Sequence, residues 1–62
     1  MLMKLKAKRV EKGLTQTEMA KRIGIAIATY NHKENGSATF SFNEILKILD
    51  ILDCKFEDIF LQ

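Results

Sequence analysis

Among residues able to do covalent or metal chemistry, the sequence holds one histidine, His32, and one cysteine, Cys54. A lone imidazole and a lone thiol cannot complete a four-ligand zinc site, and one cysteine forms no internal disulfide. No serine or cysteine nucleophile is placed with a base and an orienting acid, and no metal ligands cluster. Cys54 reads as a small buried hydrophobe, and its solitude fits a reducing cytosol. These residues point away from an enzyme, from a metal and from any cofactor. What remains is noncovalent chemistry: cations, carboxamides and hydroxyls that can hold a polyanion.

The charge supports that reading unevenly. The net formal charge is +2, but residues 1–33 carry eight Lys/Arg against Glu11 and Glu18, a balance of +6. Residues 34–62 carry Lys47 and Lys55 against six Asp/Glu, a balance of −4. The first half can face a polyanion and the second cannot. The run Lys4, Lys6, Lys8 and Lys12 is equally readable as the solvated face of a helix.

The elements that must position these groups are short helices. A chain of 62 residues buries only about 60% of the surface its unfolded form exposes, and this one has neither disulfide nor zinc. The core must come from side chains, 47% of which are hydrophobic, and the absence of proline favours helices. No apolar run is long enough to cross a bilayer, and no secretory leader is expected, since no long apolar block follows Lys4 to Lys12.

The first helix runs from Leu2 to about Lys12, with Leu2, Leu5 and Arg9 on one face and Val10 beside them. Gly13 ends it. Thr15 and Glu18 form a capping box for the second helix, whose buried stripe is Met19, Ala20 and Ile23 and whose end is Gly24. A third runs from about Ile27 to the Asn35-Gly36 stop, with Ala26 in the cap position where Ser, Thr, Asp or Asn is preferred. Ser37 to Phe40 is a loop. Ser41 and Glu44 box the start of a fourth helix with Phe42, Ile45, Ile48, Leu49 and Leu52 on its inner face, flanked by Leu46 and Ile51. Phe56, Ile59 and Phe60 mark a short fifth. The whole, residues 1–62, is expected as a single all-α, five-helix domain.

Two features of this plan bear on function. Arg9 lies on an apolar face and needs a partner, for which Glu34 is the candidate; the alternative is that it snorkels to solvent. Gln16 to Gly36 spells a short helix, a tight turn at Gly24-Ile25-Ala26 and a second short helix. Ala20 lets the two cross closely and Gly24 supplies the turn. This is the geometry of a helix-turn-helix, whose second helix enters the DNA major groove.

An ordered set of residues then makes the reading specific: Lys8-Arg9, Gly13-Leu14-Thr15-Gln16, Glu18-Met19-Ala20, Ile23-Gly24, Glu34-Asn35-Gly36, the fourth-helix pattern ending at Leu52, then Phe56 and Ile59. With these the chain resembles the Cro/repressor-type (XRE-like) helix-turn-helix family of phages and bacteria, in its small Cro-like form. The likeness covers about Met3 to Phe60. It implies a lambda-repressor-like fold and a sequence-specific transcriptional regulator of a phage or prophage switch, in the bacterial cytosol or nucleoid. The partner implied is double-stranded operator DNA, bound by a homodimer. It also implies the structural salt bridge between Arg9 and Glu34.

The resemblance places Ile27, Ala28, Asn31 and His32 against base edges. It places Gln16, Thr17, Lys21, Thr29, Lys33, Asn35 and Gly36 near phosphates, the last two through backbone amides. Ile27 and Ala28 depart from the long polar residues usual in the family; they cannot hydrogen-bond a base but can pack on thymine methyls. Asn31 can read adenine if it reaches, and His32 can donate to guanine or phosphate; Ile27 is alternatively buried or a protein contact, and His32 alternatively an exposed residue without a role. Lys33 stands where the family is usually apolar, its stem expected over the core and its ammonium on phosphate. The loop from Ser37 to Ser41 has no cation, so affinity is expected to rest on Lys21, Arg22 and Lys8. Ile51, Phe60 and Leu61, apolar without an obvious core slot, are the expected dimer interface. The alternative function is a protein-binding module on the same fold (an antirepressor, an antitoxin or a partner of another repressor), which the apolar stretch Ile25 to Ala28 and the acidic second half keep open.

Overall fold

The computed structural model describes residues 2–61. Five helices follow in order: α1 (Met3–Glu11), α2 (Gln16–Ile23), α3 (Ile27–Glu34), α4 (Phe42–Leu52) and α5 (Phe56–Ile59), with no strand among the described residues. None of these helices is long and apolar enough to cross a membrane.

Both capping boxes form. The Thr15 hydroxyl accepts from the Glu18 amide at 3.1 Å while Glu18 accepts from the Thr15 amide at 3.2 Å. Ser41 and Glu44 repeat the exchange at 3.2 and 2.8 Å. Each satisfies donors that the first helical turn cannot. At α5 the Asp58 carboxylate takes the Lys55 amide at 2.9 Å. Ala26, at the start of α3, makes no side-chain cap.

The core comprises Leu5, Met19, Ala20, Ile23, Tyr30, Phe40, Ile48, Leu52 and Ile59. α2 packs against α3 and α4, and α1 against α5. Phe40 is the buried anchor of the loop after α3. Its ring lies 5.8 Å from that of Tyr30 and 6.1 Å, edge-on, from that of Phe60. Two tethers close the N-terminal segment: the Leu2 amide donates to the Glu34 carbonyl at 2.9 Å, and Lys4 Nζ to the Leu61 carbonyl at 2.7 Å.

Two expectations about apolar residues are corrected. Phe42 is not on the inner face of α4; it is 73% exposed. Six residues at about 100° each carry it about 120° around from buried Ile48. Ile51 and Phe60, expected to lack a core slot, are partly buried and pack on the core, Phe60 also stacking on Phe56 at 5.0 Å. Of the three residues proposed for a dimer contact, only Leu61 is exposed. Besides Leu61, the large apolar side chains left open on α4 and α5 are Phe42, Leu46 and Phe56.

Candidate nucleic-acid interface

The turn between α2 and α3 is built on Gly24, whose φ of +91° is a backbone state that L side chains rarely adopt. The amides of Gly24 and Ile25 both bond to the Ala20 carbonyl, at 2.8 and 3.0 Å. Lys47 reaches over from α4 to donate to the Ile23 carbonyl at 3.1 Å, a contact the sequence did not signal. The positive ammonium suits the carbonyl end of a helix. With Ala20 only 2% exposed, the two helices meet over a small side chain.

Behind α3 lies the Glu34 carboxylate, 1% exposed. Arg9 Nε donates to its Oε2 at 3.0 Å and Arg9 Nη2 to its Oε1 at 3.1 Å. The Tyr30 hydroxyl donates to Oε2 at 2.6 Å and Gln16 Nε2 to Oε1 at 3.1 Å. Arg9 Nη1 donates to the Leu14 carbonyl at 2.8 Å. Arg9, 6% exposed, therefore pairs with Glu34 and does not snorkel. Four donors occupy the acceptor sites of one carboxylate.

The electrostatics follow from this packing. Burial pushes the Glu34 carboxyl up, but the bonds from Arg9, Tyr30 and Gln16, with the Arg9 charge, outweigh it and hold it below its ordinary value. The hydrogen bond to Glu34 raises Arg9 against the opposing effect of burial. Burial and then the Glu34 bond push the Tyr30 hydroxyl well above its ordinary value. The Tyr30–Glu34 contact spans i, i+4 on one helix, a spacing legible in the sequence but not read there.

The outward side of α3 is set by the same geometry. At about 100° per residue, Ala28 and His32 fall opposite buried Tyr30 and Glu34. Both are exposed, as are Thr29, Asn35 and Ile27, the last 43% exposed rather than buried. Asn31 is half-buried on the edge toward α2. There its Nδ2 donates to Gln16 Oε1 at 3.1 Å, and its Oδ1 accepts from Asn35 Nδ2 at 2.8 Å. Beside this face stand exposed Thr17 and half-buried Gln16 at the start of α2, with exposed Lys21 and Arg22 in its last turn.

Three expected phosphate contacts find other partners. Lys33 Nζ sits 2.6 Å from Glu44 Oε1 with both side chains mostly covered, so its ammonium ties α3 to α4; the same ammonium lies 6.0 Å from the centre of the Phe40 ring. This ion pair, then the Ser41 amide, lowers the Glu44 carboxyl. The backbone amides of Asn35 and Gly36 already donate to the carbonyls of Asn31 and Lys33, at 3.0 and 3.2 Å. They terminate α3 and are not free donors. Lys8 is 3.5 Å from Glu11, which tempers its share of the basic surface.

A family model described as helix-turn-helix matches residues 5–59. No curated protein gives a significant match to the chain.

Proposed function

Because the chain belongs to the Cro/XRE-like helix-turn-helix family of DNA-binding regulators, we propose that it binds a specific operator by laying α3 in the major groove. The observation that carries this reading is the pairing of two features. Ile27, Ala28 and His32 stand exposed on α3, while the helix is clamped from behind by the buried Arg9–Glu34 pair. A rigid helix with a free outer face is what groove insertion requires.

Ile27 and Ala28 pack on thymine methyls, and His32 donates to a base edge or phosphate. Gln16 offers its second Nε2 proton to a phosphate; Thr17, Thr29, Lys21 and Arg22 add backbone contacts. The first-turn amides of α2 support an anion there. The protein acts as one domain, a repressor-type regulator of a phage or prophage switch in a bacterial cytosol, without catalysis.

It binds as a pair, since one unit reads only a half-site. Phe42, Ile45, Leu46 and Leu49 fall within about 100° of one another on α4. Ile45 also lines a groove with Phe56 and Phe60. This apolar flank, extended by exposed Leu61, joins the two copies.

Selection of bound sites from a random duplex library tests the reading. The expected outcome is a palindromic site with T-rich positions. Its affinity falls with log salt at a slope of about −0.9 per phosphate neutralised. The apolar recognition face, with Lys33 drawn away to Glu44, favours one other reading, a protein-binding module. Absence of duplex binding at low salt would overturn operator binding in its favour.

A further inference from the structure

We infer that Asn31 is a positioning residue that fixes the Gln16 carboxamide, and not a reader of bases. The inference rests on the DNA-binding reading above for its affinity arm alone. Glu34 is a saturated, immobile anion, and Gln16 Nε2 donates to it. The carboxylate dictates which end of the Gln16 amide faces inward, because an oxygen there would meet negative charge. Gln16 Oε1 must then point away from Glu34, and it points to Asn31 Nδ2. That in turn sets Asn31 Oδ1 toward Asn35 Nδ2. One buried charge thus sets the polarity of three amides in a row, running from α2 to the end of α3.

A glutamine amide held by one hydrogen bond can still rotate about it. Held at both its nitrogen and its oxygen, its plane is fixed, and so is the direction of the second Nε2 proton. Asn31 supplies the second anchor from the edge of α3 that faces α2, away from the outward centre occupied by Ala28 and His32. Its contribution therefore passes through a phosphate contact and carries no sequence information.

The experiment compares Asn31→Ala, Gln16→Ala and the double variant with the wild type. In the free protein, Asn31→Ala shifts the Gln16 side-chain amide resonances while the thermal unfolding midpoint stays close to that of the wild type. On duplex DNA, Asn31→Ala lowers affinity about three- to tenfold, the loss of about one hydrogen bond. The factor is equal for selected and scrambled sites. In the Gln16→Ala background the same substitution changes nothing further. A changed base preference at one position, or losses that add independently of Gln16, would overturn the inference. If the wild type binds no duplex, the DNA reading fails, and unmoved Gln16 amide resonances in Asn31→Ala would overturn this one separately.

Discussion

At Glu34 two opposing effects meet on one side chain: burial favours the neutral acid, and four donors favour the anion. The donors win, so the folded protein holds this proton less tightly than the unfolded chain. The stability this confers is fully present above the ordinary value of 4.5 and is lost as pH falls through the lower folded value. Glu34→Gln removes that titration. Its denaturation free energy should fall less steeply with acidification than that of the wild type, by up to about 1.4 kcal/mol per pH unit. At neutral pH the same variant leaves Arg9 buried against a neutral amide and should lose about 3 kcal/mol, measured by urea denaturation. For a chain this short that is a large part of the total. The Arg9–Glu34 pair was legible because a cation on an apolar helical face demands an acid. The Gln16 and Leu14 contacts to this pair were not, since they depend on how α1, α2 and α3 converge.

Individual helices here are too short to persist alone, so their ends matter. α4 starts at a complete capping box, and α3 starts at Ala26 with φ −67° and ψ 148°, a backbone already in the cap conformation but without an acceptor. Ser41→Ala should cost about 1 kcal/mol, and Ala26→Ser should gain about 0.5–1 kcal/mol by accepting from the first turn of α3. Thermal unfolding of the two variants checks both signs. The boxes at Thr15 and Ser41 were readable as residue types at fixed spacing. Which α4 residues face inward was readable only in part: Ile48 and Leu52 follow from periodicity, whereas Phe42 begins the helix on the side where no neighbour covers it. Lys33 shows the same limit. That Lys33 is largely covered was expected from a position where the family is usually apolar, but its ion pair depends on α4 bringing Glu44 to 2.6 Å.

Over the whole molecule, the +2 charge is a difference between a basic first half and an acidic second half. Folding redistributes it further. Arg9 and Lys33 are neutralised inside, Lys47 sits on a helix carbonyl, and Lys21 and Arg22 remain exposed beside the α2–α3 face. On α4 the exposed apolar side chains Phe42, at 73%, and Leu46, at 49%, lie one turn apart on the same flank. Phe42→Glu combined with Leu46→Glu should leave the unfolding midpoint nearly unchanged, because neither side chain is buried. Sedimentation should shift from dimer to monomer, and operator affinity should drop at least tenfold through loss of the second half-site. A wild type that sediments as a monomer, free and on DNA, would refute the pairing.

Periodicity, two capping boxes and the Asn35-Gly36 stop were enough to set five helices and the α2–turn–α3 unit, because each is a local property of neighbouring residues. For Arg9 the sequence offered two remedies, pairing with Glu34 or snorkelling to solvent; the resemblance to the family favoured the pair, and the fold, which brings together residues 25 apart, made it. The tertiary structure alone decided which polar groups face outward. Lys33, Asn31 and the amides of Asn35 and Gly36 all carry donors suited to phosphate or bases. How far a donor remains available depends on which acceptor the fold brings to it first: Glu44 takes the Lys33 ammonium, Gln16 takes one proton of the Asn31 amide, and the carbonyls of α3 take the two backbone amides.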